Sequence, residues 1–328
     1  MEGGRRVIDL VLKAVAYSSG IALTSAGITI IYMATRTFNF AHASMVAWGF
    51  YIVFALYSLL GGTPYYYVVF ATLFSGLLGV ILYYTVNRRL LRAGASMVTL
   101  MMSTLGVDLI FFAIINIFAD YLTEVYKIPN ARYFVLELKD VSLGMINGMS
   151  IRAITFVSTL VVIALIVSLH LFLTKTKFGI AVRATIENTA LAMVLGINPE
   201  RVYVLSWFLG GALAGLGGGL LSMTISGYPA VGMTIIVTMF AGSIVGGLYS
   251  IFGSLLGGFL VGLSEYLGIT GLSIAFGGWV LAYRLIIPLI AMVSALLLFP
   301  KGLGGIKFKG LSLRLPSKTS FKELKGEV

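Results

Sequence analysis

The chain has no cysteine and only two histidines. Disulfides, thiol catalysis and Cys-ligated metals are excluded, and a multi-His metal site has nothing to be built from. Charge is scarce too. Asp, Glu, Lys and Arg make up 11% of 328 residues, against roughly 25% in an average soluble domain. So few charges cannot cover a soluble fold of this length, and 59% hydrophobic residues rule out disorder. Catalytic signatures are missing as well. There is no G-x-x-x-x-G-K-[ST] phosphate loop, no H-E-x-x-H, no G-x-S-x-G and no pair of close carboxylates suited to hydrolysis. No catalytic residue and no metal ligand is nominated, and the chain has no Walker site of its own for ATP. What is present is an all-α integral membrane protein. Its 39 glycines suit the close helix packing of membrane bundles.

A crossing helix needs about 20 apolar residues. Such spans fall near 8–32, 41–60, 64–86, 97–119, 153–173, 202–222, 233–247, 251–268 and 280–299. The seventh and eighth are short, so 233–268 reads as two tilted crossings or as one crossing plus a re-entrant piece. No cleavable signal peptide is expected ahead of the first span. The formal net charge is +11, which in a membrane protein points to cytoplasmic loops before nucleic acid. Arg88, Arg89 and Arg92 crowd 87–96, and Lys175, Lys177, Arg183 and Arg201 outnumber the acids of 174–201. The tail is basic, whereas 120–152 balances four basic residues against Asp120, Glu124, Glu137 and Asp140. The positive-inside rule then places 87–96, 174–201 and the tail in the cytoplasm and 120–152 outside. An odd number of crossings follows, about nine, with the N-terminus outside and the C-terminus inside. Arg5, Arg6 and Lys13 argue the other way and are outnumbered. The expected organisation is one transmembrane domain over 1–305, with an outer loop at 120–152 and a cytoplasmic loop at 174–201. A basic cytoplasmic tail follows at 306–328. In the outer loop, FVLELKD (134–140) alternates and NGMSI (147–151) follows an Asn-Gly pair, which reads as a small hairpin or as an irregular loop.

Three stretches carry candidate function. TKTKFGIAVRATIENTALAMVLGINPERV (174–202) is amphipathic between two spans, with small and apolar residues at helical spacing, a helix stop at Gly196 and a turn at Asn198-Pro199. Such a helix can dock in the groove of a partner or lie at the membrane surface. Arg183 and Glu187 stand at i, i+4 and can pair. In TRTFNFAHASM (35–45), Asn39, His42 and Ser44 stand where one span gives way to the next. Polar groups at that depth line a cavity or find partners. The cluster reads as a broken helix along a substrate path or as a surface turn. The third stretch, GGALAGLGGG (210–219) with Gly253, Gly257, Gly258 and Gly262, predicts tight helix contacts. Asp108 and Glu265 are isolated carboxylates in spans, and each is open to a proton-carrying role.

FNFAHASMVAWGFY, FGIAVRATIENTALAMVLGINPERV, GGALAGLGGGLLS, VGGLYSIFGSLLGGFLVGLSEY and AYRLIIPLI with LLLFPKGLGG occur here in a familiar order. The sequence resembles the membrane subunits of branched-chain amino-acid ABC importers, in their shorter, Liv-type permease form, over most of residues 8–305. The resemblance implies a type II ABC importer permease with internal repeats of inverted topology. It implies two cytoplasmic ABC ATPase subunits, a related second permease (or a second copy of this chain) and an external substrate-binding protein, all acting in the cell membrane. No cofactor is implied for this chain, since the partner subunits use the ATP, and no nucleic acid is implied. Coupling to the ATPases maps to Gly179, Ala181, Arg183, Ala184, Glu187, Asn188, Ala192, Gly196 and Ile197. The translocation path maps to Asn39, Phe40, Ala41 and His42, with Ser44 beside them. Similar sugar permeases favour Asp-Leu-Ser where this chain has Asn39-Phe40-Ala41-His42, so the implied cargo is branched-chain amino acids or similar small solutes. Urea or short amides, a proton-coupled secondary transporter and an intramembrane enzyme remain the alternatives, and the role of Asp108 is open.

Overall fold

The structure is a computed structural model that describes residues 2–146, 149–299 and 302–305. The expected basic tail, 306–328, lies outside the described residues. The helices are α1 (Glu2–Thr35), α2 (His42–Leu60), α3 (Pro64–Leu82), α4 (Arg88–Arg92), α5 (Met97–Glu124) and α6 (Ala153–Lys175). They continue with α7 (Lys177–Glu187), α8 (Thr189–Val194), α9 (Pro199–Leu221), α10 (Val231–Gly246), α11 (Ile251–Phe276) and α12 (Ile286–Leu298). A π-turn at Tyr83–Asn87 joins α3 to α4 into one long helix. Among the described residues, eight helices are long and apolar enough to cross a membrane, and α10, with 16 residues, is shorter.

Packing follows from the glycines of α9, which present three faces to three helices. Gly210 and Gly217 meet α1, Gly211 and Gly215 meet α3, and Gly218 meets α2. A Cβ on Gly218 would stand 2.2 Å from the Val46 carbonyl oxygen, and one on Gly211 would stand 2.4 Å from that of Ser75. The stretch is thus a hub in which backbone approaches backbone, as small residues permit in a bilayer. Hydroxyls tie the rest. Ser25 donates to the Met239 carbonyl at 2.9 Å, and Thr29 and Ser243 share a hydrogen bond of 2.6 Å, which fixes α10 along α1.

Two faces are defined by their contacts. On one, Lys13 pairs with Glu137, Thr155 donates to the Leu12 carbonyl, Tyr51 donates to that of Ala131, and Phe134 bridges to Gly227. On the other, Arg36 lies over the Tyr249 ring, Arg88 and Arg92 pair with Glu200, and Gly302 and Gly304 close on Gly247 and Ser250. The first span therefore starts on the 120–152 face, and residues 302–305 end on the opposite one. Helix α10 starts just after Gly227 and ends at the Tyr249 turn, and α11 returns antiparallel against it, Gly242 meeting Gly258 and Gly246 meeting Gly253.

The 120–152 loop does hold a hairpin, but in another register. β1 (Ser142–Ile146) pairs antiparallel with β2 (Met149–Arg152), while Glu137–Lys139 forms a single 3-10 turn. The alternation at 134–140 serves a different purpose. Phe134 is buried and stacks on Phe54 with ring centroids 3.9 Å apart. The Asp140 carboxylate accepts from the Tyr65 hydroxyl and from the Val141 and Ile154 amides, pinning the loop to α3 and α6.

Near the same face, Glu265 is 1% exposed and fully engaged. Arg284 donates to it at 2.9 Å and to the Tyr17 hydroxyl at 2.9 Å, while that hydroxyl donates to the second carboxylate oxygen at 3.2 Å. The triad locks α1, α11 and the entry to α12. Removing one partner of a buried pair strands the other charge at a cost of about 3–5 kcal/mol, whereas replacing both by apolar residues is often neutral. Arg284→Leu is expected to lower the melting temperature in detergent sharply, and Arg284→Leu with Glu265→Leu to recover most of the loss. Equal melting of the single and double variants would count against a structural pair.

Candidate functional site

The site begins where α1 ends. Arg36 takes the left-handed conformation, φ 55°, and its guanidinium lies 4.7 Å from the centre of the Tyr249 ring. Residues 36–41 then return into the protein without helical structure, and α2 starts at His42. The start of α2 is deep. His42 Nε2 lies 2.9 Å from the Thr24 carbonyl oxygen, well inside the span of α1. A carbonyl only accepts, so Nε2 carries the proton and Nδ1, which has no partner, is the bare nitrogen. Asn39 is 1% exposed, with Nδ2 on the Met45 sulfur and Oδ1 without a partner. Phe38 and Phe40 pack on Phe240 of α10. Thr104 of α5 accepts from the Phe40 amide at 3.1 Å, and Asp108 accepts from the Ser44 amide at 3.0 Å.

The sequence-level candidates Asn39, His42 and Ser44 are therefore brought together, but in the packed interior. None of them lines the large cavity on the Arg36 face, and Phe40 alone of the four is partly exposed. The chain break at 36–41 is a broken helix of the kind that membranes tolerate only where the freed backbone groups find partners. Sequence reasoning left Thr104 out. Its signal was a threonine four residues ahead of an aspartate, on the same face of a mostly apolar span.

The second candidate region, 174–201, folds into two short helices and not one. Asn188 is extended (φ −152°, ψ 102°) and its Oδ1 caps α8 by accepting from the Leu191 amide at 3.0 Å. Thr176 caps α7 on the Gly179 amide, and Asn198 caps α9 on that of Glu200. Gly196 turns the chain at φ 82°. Gly179 and Ala192 are buried. A Cβ at Gly179 would stand 2.0 Å from the Phe172 carbonyl oxygen, and Ala192 is 1% exposed. Ala181, Ala184 and Ile197 are half-buried, and Arg183, Glu187, Asn188 and Gly196 are exposed. Arg183 and Glu187 form no ion pair; Glu187 instead borders a cavity of about 590 Å³ shared with Arg36, Arg88, Arg92 and Tyr203. Glu200, in the first turn of α9, ties the end of the loop to Arg88 and Arg92. What faces outward is apolar. Leu191, Met193, Val194 and Leu195 form an exposed apolar edge at α8, Phe178 and Ile180 are exposed on α7, and Val194 is 83% exposed. The helical spacing read from the sequence included Leu191 and Leu195 but not Met193 and Val194, although LAMVL is a bare apolar run in a basic loop.

Eight long apolar helices, a deep chain break and an exposed apolar edge on the basic face mark a multi-pass membrane protein. Comparison with known proteins supplies the family. The model of the branched-chain amino acid transport system permease component matches residues 10–296. The probable branched-chain amino acid transport permease protein LivH of Methanocaldococcus jannaschii is 40% identical over 91% of this chain and 92% of its own. BraD of Pseudomonas aeruginosa and LivH of Escherichia coli, both high-affinity branched-chain amino acid transport system permease proteins, are 25% identical over 91% of this chain and 95% of theirs. No solved structure matches. The chain belongs to the branched-chain amino-acid transport permease family and is a permease of the ABC importer class in the cell membrane.

Proposed function

We propose that the chain forms one half of the translocation path of an ATP-driven importer for branched-chain amino acids. A second permease, related or identical, completes the path. Two cytoplasmic ABC ATPases dock on the 177–197 segment, and an external binding protein delivers the cargo to the 120–152 face. The chain does no chemistry of its own. The observation that carries this reading is the family match across almost the whole chain, beside the unpartnered apolar edge at Leu191–Leu195 on the basic face. Positive-inside charge makes that face cytoplasmic. A proton-driven reading has less to stand on, because Asp108 and Glu265 both hold hydrogen-bond partners inside the fold.

Motion of the docked segment has a route inward. It passes from Asn198 and Glu200 into α9, whose glycines touch α1, α2 and α3. ATP-driven closure of the two ATPases would thus rock whole helices against one another. The test is reconstitution in vesicles with ATPase and binding-protein subunits of a branched-chain amino-acid importer from the same organism. Leucine uptake that requires ATP and the binding protein is expected, with no uptake by this chain alone under an imposed proton gradient. Gradient-driven uptake by the single chain would overturn the reading, and urea uptake with no leucine uptake would overturn the cargo.

A further inference from the structure

Helix α2 begins inside the protein and has no cap of its own. Its N-cap position is Ala41, which offers no side-chain acceptor. The first four amides of any helix lack partners within it, and at membrane depth no water replaces them. Here they are met one by one. His42 and Ala43 donate to the Asn39 and Phe40 carbonyls, and Met45 donates to that of Ala41. Ser44 is the exception, and its amide donates to Asp108 of α5, 64 residues away, at 3.0 Å. The Ser44 hydroxyl returns a hydrogen bond to the Asp108 carbonyl at 3.1 Å. One turn earlier on α5, Thr104 holds the Phe40 amide at 3.1 Å and lies 3.3 Å from the Phe38 carbonyl oxygen. Thr104 and Asp108 are the polar members of the buried stripe of α5, between Leu100 and Ile115.

We propose that Asp108 is a positioning residue which caps α2 from a neighbouring helix and, with Thr104, clamps residues 38–44 at a fixed depth beside the path. The carboxylate works as an acceptor at the positive end of a helix. It neither carries protons nor touches cargo. α5 and the start of α2 consequently move as one unit.

An asparagine keeps an acceptor oxygen at this place and a leucine does not, so the two variants separate capping from proton carriage. The natural absence of cysteine provides a probe. Thr37, directly before the clamped segment, is fully buried, and Thr37→Cys reports the opening of that segment to a thiol reagent in the assembled transporter. In Asp108→Leu, labelling is expected to rise and maximal uptake to fall, each by about tenfold or more, with half-saturation by the loaded binding protein unchanged. In Asp108→Asn, both are expected to stay within about threefold of the parent, because the backbone hydrogen bond survives. Thr104→Val should raise labelling by a smaller factor, and it takes the place of Asp108→Leu as the loosened variant should that protein fail to insert. Loss of uptake in Asp108→Asn as deep as in Asp108→Leu would overturn the proposal in favour of a required charge or proton. Unchanged labelling in the loosened variant would overturn it outright. Only the uptake arm rests on the importer reading; the labelling arm stands without it, so the two can fail separately.

Discussion

Gly257→Leu is expected to leave no folded permease in the membrane, while Gly271→Ala, fourteen residues along the same helix, is expected to fold and to melt slightly higher. Both positions lie in α11. At Gly257 a Cβ would stand 2.3 Å from the Gly246 amide nitrogen and 2.4 Å from the Gly242 carbonyl oxygen. Those atoms are backbone of α10 and cannot rotate aside. Extra methylenes in a packed core typically cost about 1–3 kcal/mol even where side chains can yield. Here α10 must leave α11, and its bonds to Ser25 and Thr29 of α1 go with it. The loss should exceed the upper end of that range. At Gly271 nothing lies within 4 Å of an added Cβ, and glycine inside a helix is worse than alanine by roughly 1 kcal/mol. Size-exclusion profiles and melting of the two variants in detergent decide the matter. A monodisperse, thermally normal Gly257→Leu would show that α10 and α11 do not meet at these glycines.

How much of this was legible in the sequence differs from element to element. The crossing at Gly257 was, because a glycine every fourth residue has few uses other than close approach. Most spans were, to within a few residues, and the run expected at 153–173 folds as Ala153–Lys175; the run expected at 251–268 continues to Phe276, and of that expected at 280–299 the first part is a 3-10 turn, with the helix starting at Ile286. The broken segment was legible only as a polar cluster. Phe38 and Phe40 look like the continuation of an apolar span, and the residues that hold the break open, Thr104 and Asp108, come more than sixty positions later. Pairing across such a distance leaves no periodicity to read. The hairpin of the 120–152 loop was misplaced for a related reason. Alternation at 134–140 arises because Phe134 inserts under Gly227 and Asp140 binds amides, not because the segment pairs as a strand.

The docking segment shows the same limit in sharper form, and it leads to the second large effect. Read as one helix, 180–195 places Ala181, Ala184, Asn188, Leu191, Ala192 and Leu195 near helical spacing, with small residues that a groove can accept. The break at Asn188 re-aims α8, so that Ala192 turns into the permease and Met193, Val194 and Leu195 turn out. Val194→Asp is therefore expected to insert, fold and melt like the parent, since the side chain is 83% exposed and touches little of its own chain. In the assembly proposed above, the same position would be enclosed by the ATPase surface. An unpaired carboxylate there must be desolvated with no partner, and a central apolar contact is worth about 2 kcal/mol or more when lost. A loss of about 2.7 kcal/mol is roughly a hundredfold in affinity. The variant should leave its ATPase subunits behind on purification and take up no leucine. Glu187→Lys should weaken docking far less, because an exposed rim charge acts mainly on the association rate. Ala192→Leu should differ from both: a residue that is 1% exposed has no room to grow, so the isolated permease itself should melt lower. Full recovery of ATPase with Val194→Asp, together with normal uptake, would remove the apolar edge from the interface and leave the half-buried alanines of α7 as the surface to test.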